Sequence, residues 1–200
     1  MPRTLFLPGV GADPAFWHPL GGLLPETGPK TYLGWPGLAN QPPDPAINSY
    51  DDLIALVESN LGDSPADLVA QSMGGVIAMQ VVLRNPGRIR RIVLTATSGG
   101  VDMGALGATD WRTAYRAAHP HVADWAYGWR PDITDRIGRI TQPVLLLWSD
   151  ADPISPLGIG KRLLSLLPDA RLHVIPGGDH MFARDRAAEI APLIQAHLQA

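Results

Sequence analysis

The stretch DLVAQSMGGVIAM, residues 67–79, decides how this chain is to be read. Asp67 to Ala70 form a short apolar run that predicts a buried strand, and the residues from Val76 onward form the apolar side of a helix. One serine and two glycines lie between them. Ser72 is therefore either the cap of the helix or a side chain raised at a sharp strand-to-helix turn. A cap accounts for the serine, whose oxygen can accept a first-turn N–H. It does not account for Gly75, where a capping box places Glu or Gln. Nor does it account for two successive glycines, which are poor helix formers. A nucleophile elbow explains both. Strand and helix nearly touch there, so the residues two before and two after the serine must be small. Here those residues are Ala70 and Gly74.

Outward from this turn, short apolar runs alternate with helical patterns. TLFL (4–7), TYL (31–33), DLVA (67–70), RIVLT (91–95), PVLLLW (143–148) and RLHVI (171–175) read as strands. They lack polar alternation, which predicts burial on both faces. Between them, Asn48 or Ser49 caps YDDLIALVESNL, GGVIAMQVVLRN stops at Asn85 and Pro86, and LGIGKRLLSLL stops before Pro168. DRAAEIAPLIQAHL closes the chain, with Pro192 expected to kink it or to mark a late first turn. Strand and helix in alternation predict a parallel sheet with helices on both faces. Only about 98–140 breaks the rhythm. It has helix-like pieces, three tryptophans and no convincing strand, so it reads as a small helical cap inserted at the sheet edge.

The composition sets the bounds. Two hundred residues suit a single domain, 1–200, with a sizeable core. A formal charge of −3 and the lack of any basic run argue against a nucleic-acid partner. Cysteine is absent, which excludes disulfides, thiol catalysis and cysteine-ligated metal. The N-terminal apolar run is broken at Pro8 and Gly9, too early for a signal-peptide core or a membrane span. The default expectation is a cytoplasmic protein.

In a parallel α/β sheet, ligands bind beyond the carboxyl ends of the strands. Four loops of this chain leave strands at that edge. In PGVGAD after the first strand, Gly9 and Gly11 permit close backbone approach. In acyl transfer, the N–H of Val10 would supply one oxyanion donor. In the second loop, Met73 follows Ser72 and opens the helix, so its N–H would be the other donor, at the positive end of the helix. In SDADPISP, Asp150 and Asp152 compete to orient a histidine. Asp152 is favoured because Pro153 fixes the turn after it, although Asp150 lies nearer the strand end. In PGGDHMF, His180 follows two glycines on a loop able to lean over the sheet edge, whereas His173 sits in a strand and His197 in the last helix. Ser, Asp, His is also the chain order of the nucleophile-elbow hydrolases.

With these segments together, the chain resembles the α/β-hydrolase superfamily. It is most similar to small capped esterases such as the pimeloyl carrier-protein methyl esterases. The matching segments are LFLPGVGADPAFW, LVAQSMGGVIAM, LLLWSDADPISP and IPGGDHMF. The resemblance implies Ser72 as nucleophile, Asp152 as acid and His180 as base, with Val10 and Met73 as the oxyanion hole. It implies that Trp17 occupies an aromatic position facing the pocket. There are departures. Pro8 stands where the family often has His, and Ala70 where Gly is usual. Only three residues precede the first strand, so the family's usual first two strands are missing. The expectation is thus a shortened sheet of about six mostly parallel strands. Its exposed edge would favour a homodimer.

The implied reaction is cleavage of a small-molecule carboxylic ester with a short to medium acyl group, through an acyl-enzyme, with no cofactor or metal. The cap would line the pocket through Trp111, Tyr115, Trp125 and Trp129, with Tyr127 adding aromatic surface. Arg112, Arg116 and Arg130 would meet an acidic substrate group or carrier protein, against the simpler expectation of solvated side chains. The same triad and fold also serve C–C bond hydrolases, lyases, perhydrolases and thioesterases. A non-catalytic binding protein is the remaining class, and such proteins usually lose a triad member.

Overall fold

The computed structural model describes residues 2–200. Six strands form one sheet: β1 (Thr4–Leu7), β2 (Lys30–Tyr32), β3 (Ala66–Gln71), β4 (Ile89–Thr95), β5 (Val144–Ser149) and β6 (Ala170–Ile175). Their order is β2-β1-β3-β4-β5-β6, and every pairing is parallel. The strand order reverses beside β1 and β3, which run in register from Thr4↔Asp67 to Leu7↔Ala70. The loops after these two strands therefore leave the sheet side by side, at the crevice where ligands of open α/β sheets bind.

Alternation along the central strands divides the core into two layers. Leu5, Leu7, Leu68, Ala70, Ile92, Leu94, Leu146 and Trp148 face one side. There they pack on α2 (Tyr50–Ser59), α3 (Met73–Arg84) and α6 (Leu157–Leu166). Phe6, Val69, Val93, Leu145 and Leu147 face the other side. They meet α1 (His18–Leu23), α7 (Phe182–Asp185) and α8 (Ala187–Gln199). Ser49 caps α2, accepting the Asp52 N–H. The sheet of six parallel strands with helices on both faces expected from the sequence is thus the fold observed.

Two local expectations are corrected. The strands are buried on both faces only in the middle of the sheet. β6 is the last strand of the sheet, and there Arg171 and His173 are exposed. Pro192 does not mark a late first turn but lies inside α8, beyond its first turn. The helical pattern instead breaks earlier, at Arg186, between α7 and α8.

Between β4 and β5 the chain makes α4 (Arg112–Ala118), α5 (Trp125–Gly128) and single 3-10 turns, without a strand. This segment, called the cap below, shares the main core. Val122, Ala126, Tyr127, Ile133, Ile137 and Ile140 join the main apolar cluster. Among the described residues no helix is long and apolar enough to cross a membrane.

Candidate active site

Ser72 stands between β3 and α3 with φ 52° and ψ −121°, a backbone conformation that non-glycine residues seldom adopt. The neighbours hold it there. Its N–H donates to Thr95 O (3.0 Å), and its carbonyl accepts from Gly75 N (3.0 Å) and Thr97 Oγ1 (2.6 Å). The turn is possible only because Gly74 has no Cβ. A Cβ there would lie 2.4 Å from Pro8 O and 2.6 Å from Leu7 O, both backbone atoms of the neighbouring strand end. The serine side chain makes no capping bond to α3. Its Oγ lies 3.0 Å from His180 Nε2.

His180 reaches over the sheet edge on the loop that follows β6. Gly177, with φ 69°, supplies the reversal in that loop. The ring Nδ1 lies 2.7 Å from Asp152 Oδ2. A carboxylate accepts, so Nδ1 carries the proton and Nε2 is left to accept from Ser72. Asp152 is buried, at 4% exposure, and its Oδ1 accepts from Ile154 N (2.8 Å) and Ser155 N (3.0 Å). Asp150 is exposed and turned away, accepting from Gly177 N at 2.6 Å. Of the two aspartates, only Asp152 meets the histidine.

The loop Pro8–Ala12 runs beside Ser72. Trp35 Nε1 holds Pro8 O (2.9 Å), Ala12 N holds Gly9 O (3.0 Å), Tyr115 Oη holds Val10 O (2.9 Å), and Trp35 N holds Ala12 O (3.2 Å). Two cavities meet at Ser72 and His180. One, of about 340 Å³, lies under the cap, with Tyr50, Met73, Val76, Val101, Trp111 and Trp129 among its walls. The other, of about 370 Å³, is bounded by Pro8–Asp13, Phe16, Gln71 and Met181.

The structure sorts the expected pocket residues. Trp111 and Trp129 line the cavity under the cap. Trp17 does not face either cavity. It is fully buried on the opposite layer against Phe6 and Phe16, because the 3-10 turn Pro14–Trp17 directs it onto the core (ring centroids 6.0 and 5.0 Å). Trp125 and Tyr115 stand behind the wall. Trp125 packs edge-on against Tyr50, and Tyr115 spends its hydroxyl on Val10 O and Ala39 N. The cap arginines are engaged within the cap. Arg112 and Arg130 pair with Asp110, and Arg116 pairs with Asp124.

Two site residues escaped the sequence. Gln71, next to Ser72, donates from Nε2 to His180 O (3.2 Å) and so ties the histidine loop to the serine strand. Adjacency to Ser72 was the available signal. Tyr50 lines the cavity, stacks on Trp129 at 4.0 Å and donates to Ala126 O (2.8 Å). Burial pushes its phenol well up, so it remains a donor. As the first residue of an ordinary amphipathic helix, it carried no signal.

A neutral imidazole oriented by a buried carboxylate can take the proton of a serine hydroxyl as that oxygen attacks a carbonyl. A family profile described as "Alpha/beta hydrolase family" matches residues 4–193. A poly(3-hydroxyalkanoate) depolymerase of Ectopseudomonas oleovorans is 26% identical, over 96% of this chain and 73% of its own length. A pimeloyl-[acyl-carrier protein] methyl ester esterase of Neisseria meningitidis serogroup B is 27% identical, over 84% of this chain and 58% of its own. The aligned stretches thus span 33% to 73% of such relatives' lengths. Among solved structures, a 2-hydroxy-6-oxo-6-phenylhexa-2,4-dienoate hydrolase from Rhodococcus sp. strain RHA1 superposes with a TM-score of 0.78. It is 21% identical and covers 100% of this chain and 91% of that one. With sheet order, elbow and family profile in agreement from the first strand to the last helix, this chain belongs to the alpha/beta hydrolase family.

Proposed function

We propose that this protein is a serine esterase cleaving small carboxylic esters of short to medium acyl length. The observation that carries this reading is the hydrogen-bonded line from Ser72 Oγ through His180 to buried Asp152, placed where two cavities meet. His180 Nε2 takes the Ser72 proton as Oγ bonds to the ester carbon. The N–H groups of Val10 and Met73 hold the oxyanion. Collapse breaks the C–O bond, and the proton on His180 passes to the departing alkoxide. Water then attacks the acyl-enzyme, giving its proton to His180. The carboxylic acid leaves, and that proton returns to Ser72. Asp152 keeps the imidazole in one tautomer throughout.

The two cavities supply room on both sides of the scissile bond, which suits an ester with substituents on both acyl and alcohol parts. In this proposal the chain is one domain whose cap, 98–140, closes the chamber of about 340 Å³. Similarity to a pimeloyl-[acyl-carrier protein] methyl ester esterase and to a poly(3-hydroxyalkanoate) depolymerase lends it support. The terminal place of β2 in the sheet, with β1 as its one strand neighbour among the described residues, supports the expectation of a homodimer, which sedimentation at micromolar concentration tests; a monomer mass overturns it.

The decisive experiment is intact mass after treatment with a fluorophosphonate probe. One adduct on wild type and none on Ser72→Ala is the expected result, followed by turnover of p-nitrophenyl esters. An unlabelled, inactive wild type would overturn the reading.

A further inference from the structure

Four carbonyls of the Pro8–Ala12 loop are held by hydrogen bonds. Two of these bonds come from Trp35 and one from within the loop itself. The fourth, at Val10 O, comes from the cap, where Tyr115 Oη donates at 2.9 Å across 105 residues of chain. Among the described residues, Tyr115 is the only cap side chain that hydrogen-bonds this loop. Its oxygen accepts in turn from Ala39 N (2.8 Å), and His121 Nε2 donates to Ala39 O (2.6 Å). The cap, the strap of chain between β2 and α2 that carries Ala39, and the Pro8–Ala12 loop are thus joined at one phenol. Ala39 itself has φ 46°, so the strap is held in an unrelaxed conformation at the point where the phenol is anchored.

The consequence concerns the peptide planes. The Val10 carbonyl belongs to the plane that follows Val10, and its N–H belongs to the plane before. With Gly9 O and Val10 O both held, the two planes flanking Val10 are fixed, and the direction of its N–H is fixed with them. Glycines on each side leave the loop free to rotate once a hold is lost. We propose that Tyr115 is a positioning residue: by anchoring Val10 O from the cap, it orients the Val10 N–H as an oxyanion donor only when the cap is seated. This rests on the reading of Val10 as donor made above. Burial pushes the Tyr115 phenol up to about 12, so it stays a donor at any ordinary working pH. An open cap would leave the nucleophile in place but the oxyanion hole unset, so ester turnover would require cap and substrate to close together.

The test is Tyr115→Phe, which removes one oxygen and keeps the ring that packs in the cap. On a p-nitrophenyl ester, kcat should fall roughly 10- to 100-fold while KM stays within about twofold, less than the loss of an oxyanion donor itself. Affinity for a boronic acid, which mimics the tetrahedral state, should fall in parallel with kcat. Tyr127→Phe is the control, because Tyr127, expected to add aromatic surface to the pocket, is buried in the cap and lines neither cavity. It deletes a hydrogen bond inside the cap, to His119 O at 3.1 Å, and should lower the thermal midpoint without lowering kcat. If Tyr115→Phe changes KM or stability but leaves kcat and boronate affinity as in wild type, Tyr115 is cap glue and the inference falls while the esterase reading stands. If Tyr127→Phe lowers kcat as much, cap stability rather than the Val10 contact is responsible, and the inference falls. If wild type neither hydrolyses esters nor binds the boronate, the esterase reading falls and takes this inference with it.

Discussion

Asp152 Oδ2 lies 2.7 Å from His180 Nδ1, while Asp150, two residues earlier in the same loop, holds Gly177 N instead. Two like residues in one turn thus do different work. Asp152→Asn presents an amide where Nδ1–H needs an acceptor and favours the wrong imidazole tautomer. It should lower kcat by roughly three to four orders of magnitude. Asp150→Asn should cost only a few-fold, through a looser β6 loop. Steady-state kinetics of the two variants side by side test this, and equal losses would remove the assignment.

Ser72 carries both the proposed chemistry and the strain of the elbow. Ser72→Ala should lose roughly three to six orders of magnitude in turnover, because members of a triad act as a unit. Ser72→Gly should be as inactive, yet more stable than Ser72→Ala, since glycine relieves a backbone strain of about 1–3 kcal/mol. Chemical denaturation of the two inactive variants reads the difference directly.

The elbow leaves no room at Gly74. Gly74→Ala should fail to fold or lose several kcal/mol, on the order of 3 or more, because its Cβ meets carbonyl oxygens that cannot move without shifting β1. Gly22, in α1, has nothing within 4 Å of a built Cβ. Gly22→Ala should therefore stabilise by about 0.5–1 kcal/mol. Opposite signs for the two glycines in thermal melts are the expected outcome.

His197 gives a pH signature. Burial, with Arg91 second, lowers its pKa below the ordinary 6.5, and its Nε2–H donates to Ile92 O at 3.1 Å. Above pH 6.5 the ring is neutral in both folded and unfolded chains, and its contribution is complete. As pH falls from 6.5 through the lower folded value, the unfolded chain takes up a proton that the folded one refuses, so stability is lost. Between pH 7.5 and pH 5.5 the urea midpoint of wild type should fall more than that of His197→Gln. Identical falls would refute the assignment.

Gln71→Leu removes the bond to His180 O while keeping volume. A looser histidine loop should lower kcat by roughly 3- to 30-fold with little change in KM, since a misplacement of about an ångström is costly in catalysis. An unchanged kcat would make Gln71 a packing residue only.

The sequence by itself determined what local sterics and chain order govern. A small residue on each side of Ser72 marks a sharp strand-to-helix turn, because nothing larger clears the neighbouring backbone. Apolar runs separated by helical patterns imply a parallel sheet, and a parallel sheet places the loops carrying Val10, Ser72, Asp152 and His180 at one edge. Tertiary structure decided what depends on contacts between distant segments. Which aspartate meets His180 is set by the path of the loop after β5, not by its composition. Trp17 sits in an expected aromatic position but packs away from the site, because the 3-10 turn before it presents that ring to the core. Tyr115 reads as one more cap aromatic, and only the seating of the cap across 105 residues brings its hydroxyl to Val10 O. Periodicity and turn sterics are local and survive in a linear text, whereas the direction of a side chain across a packed interface is settled only by everything it packs against.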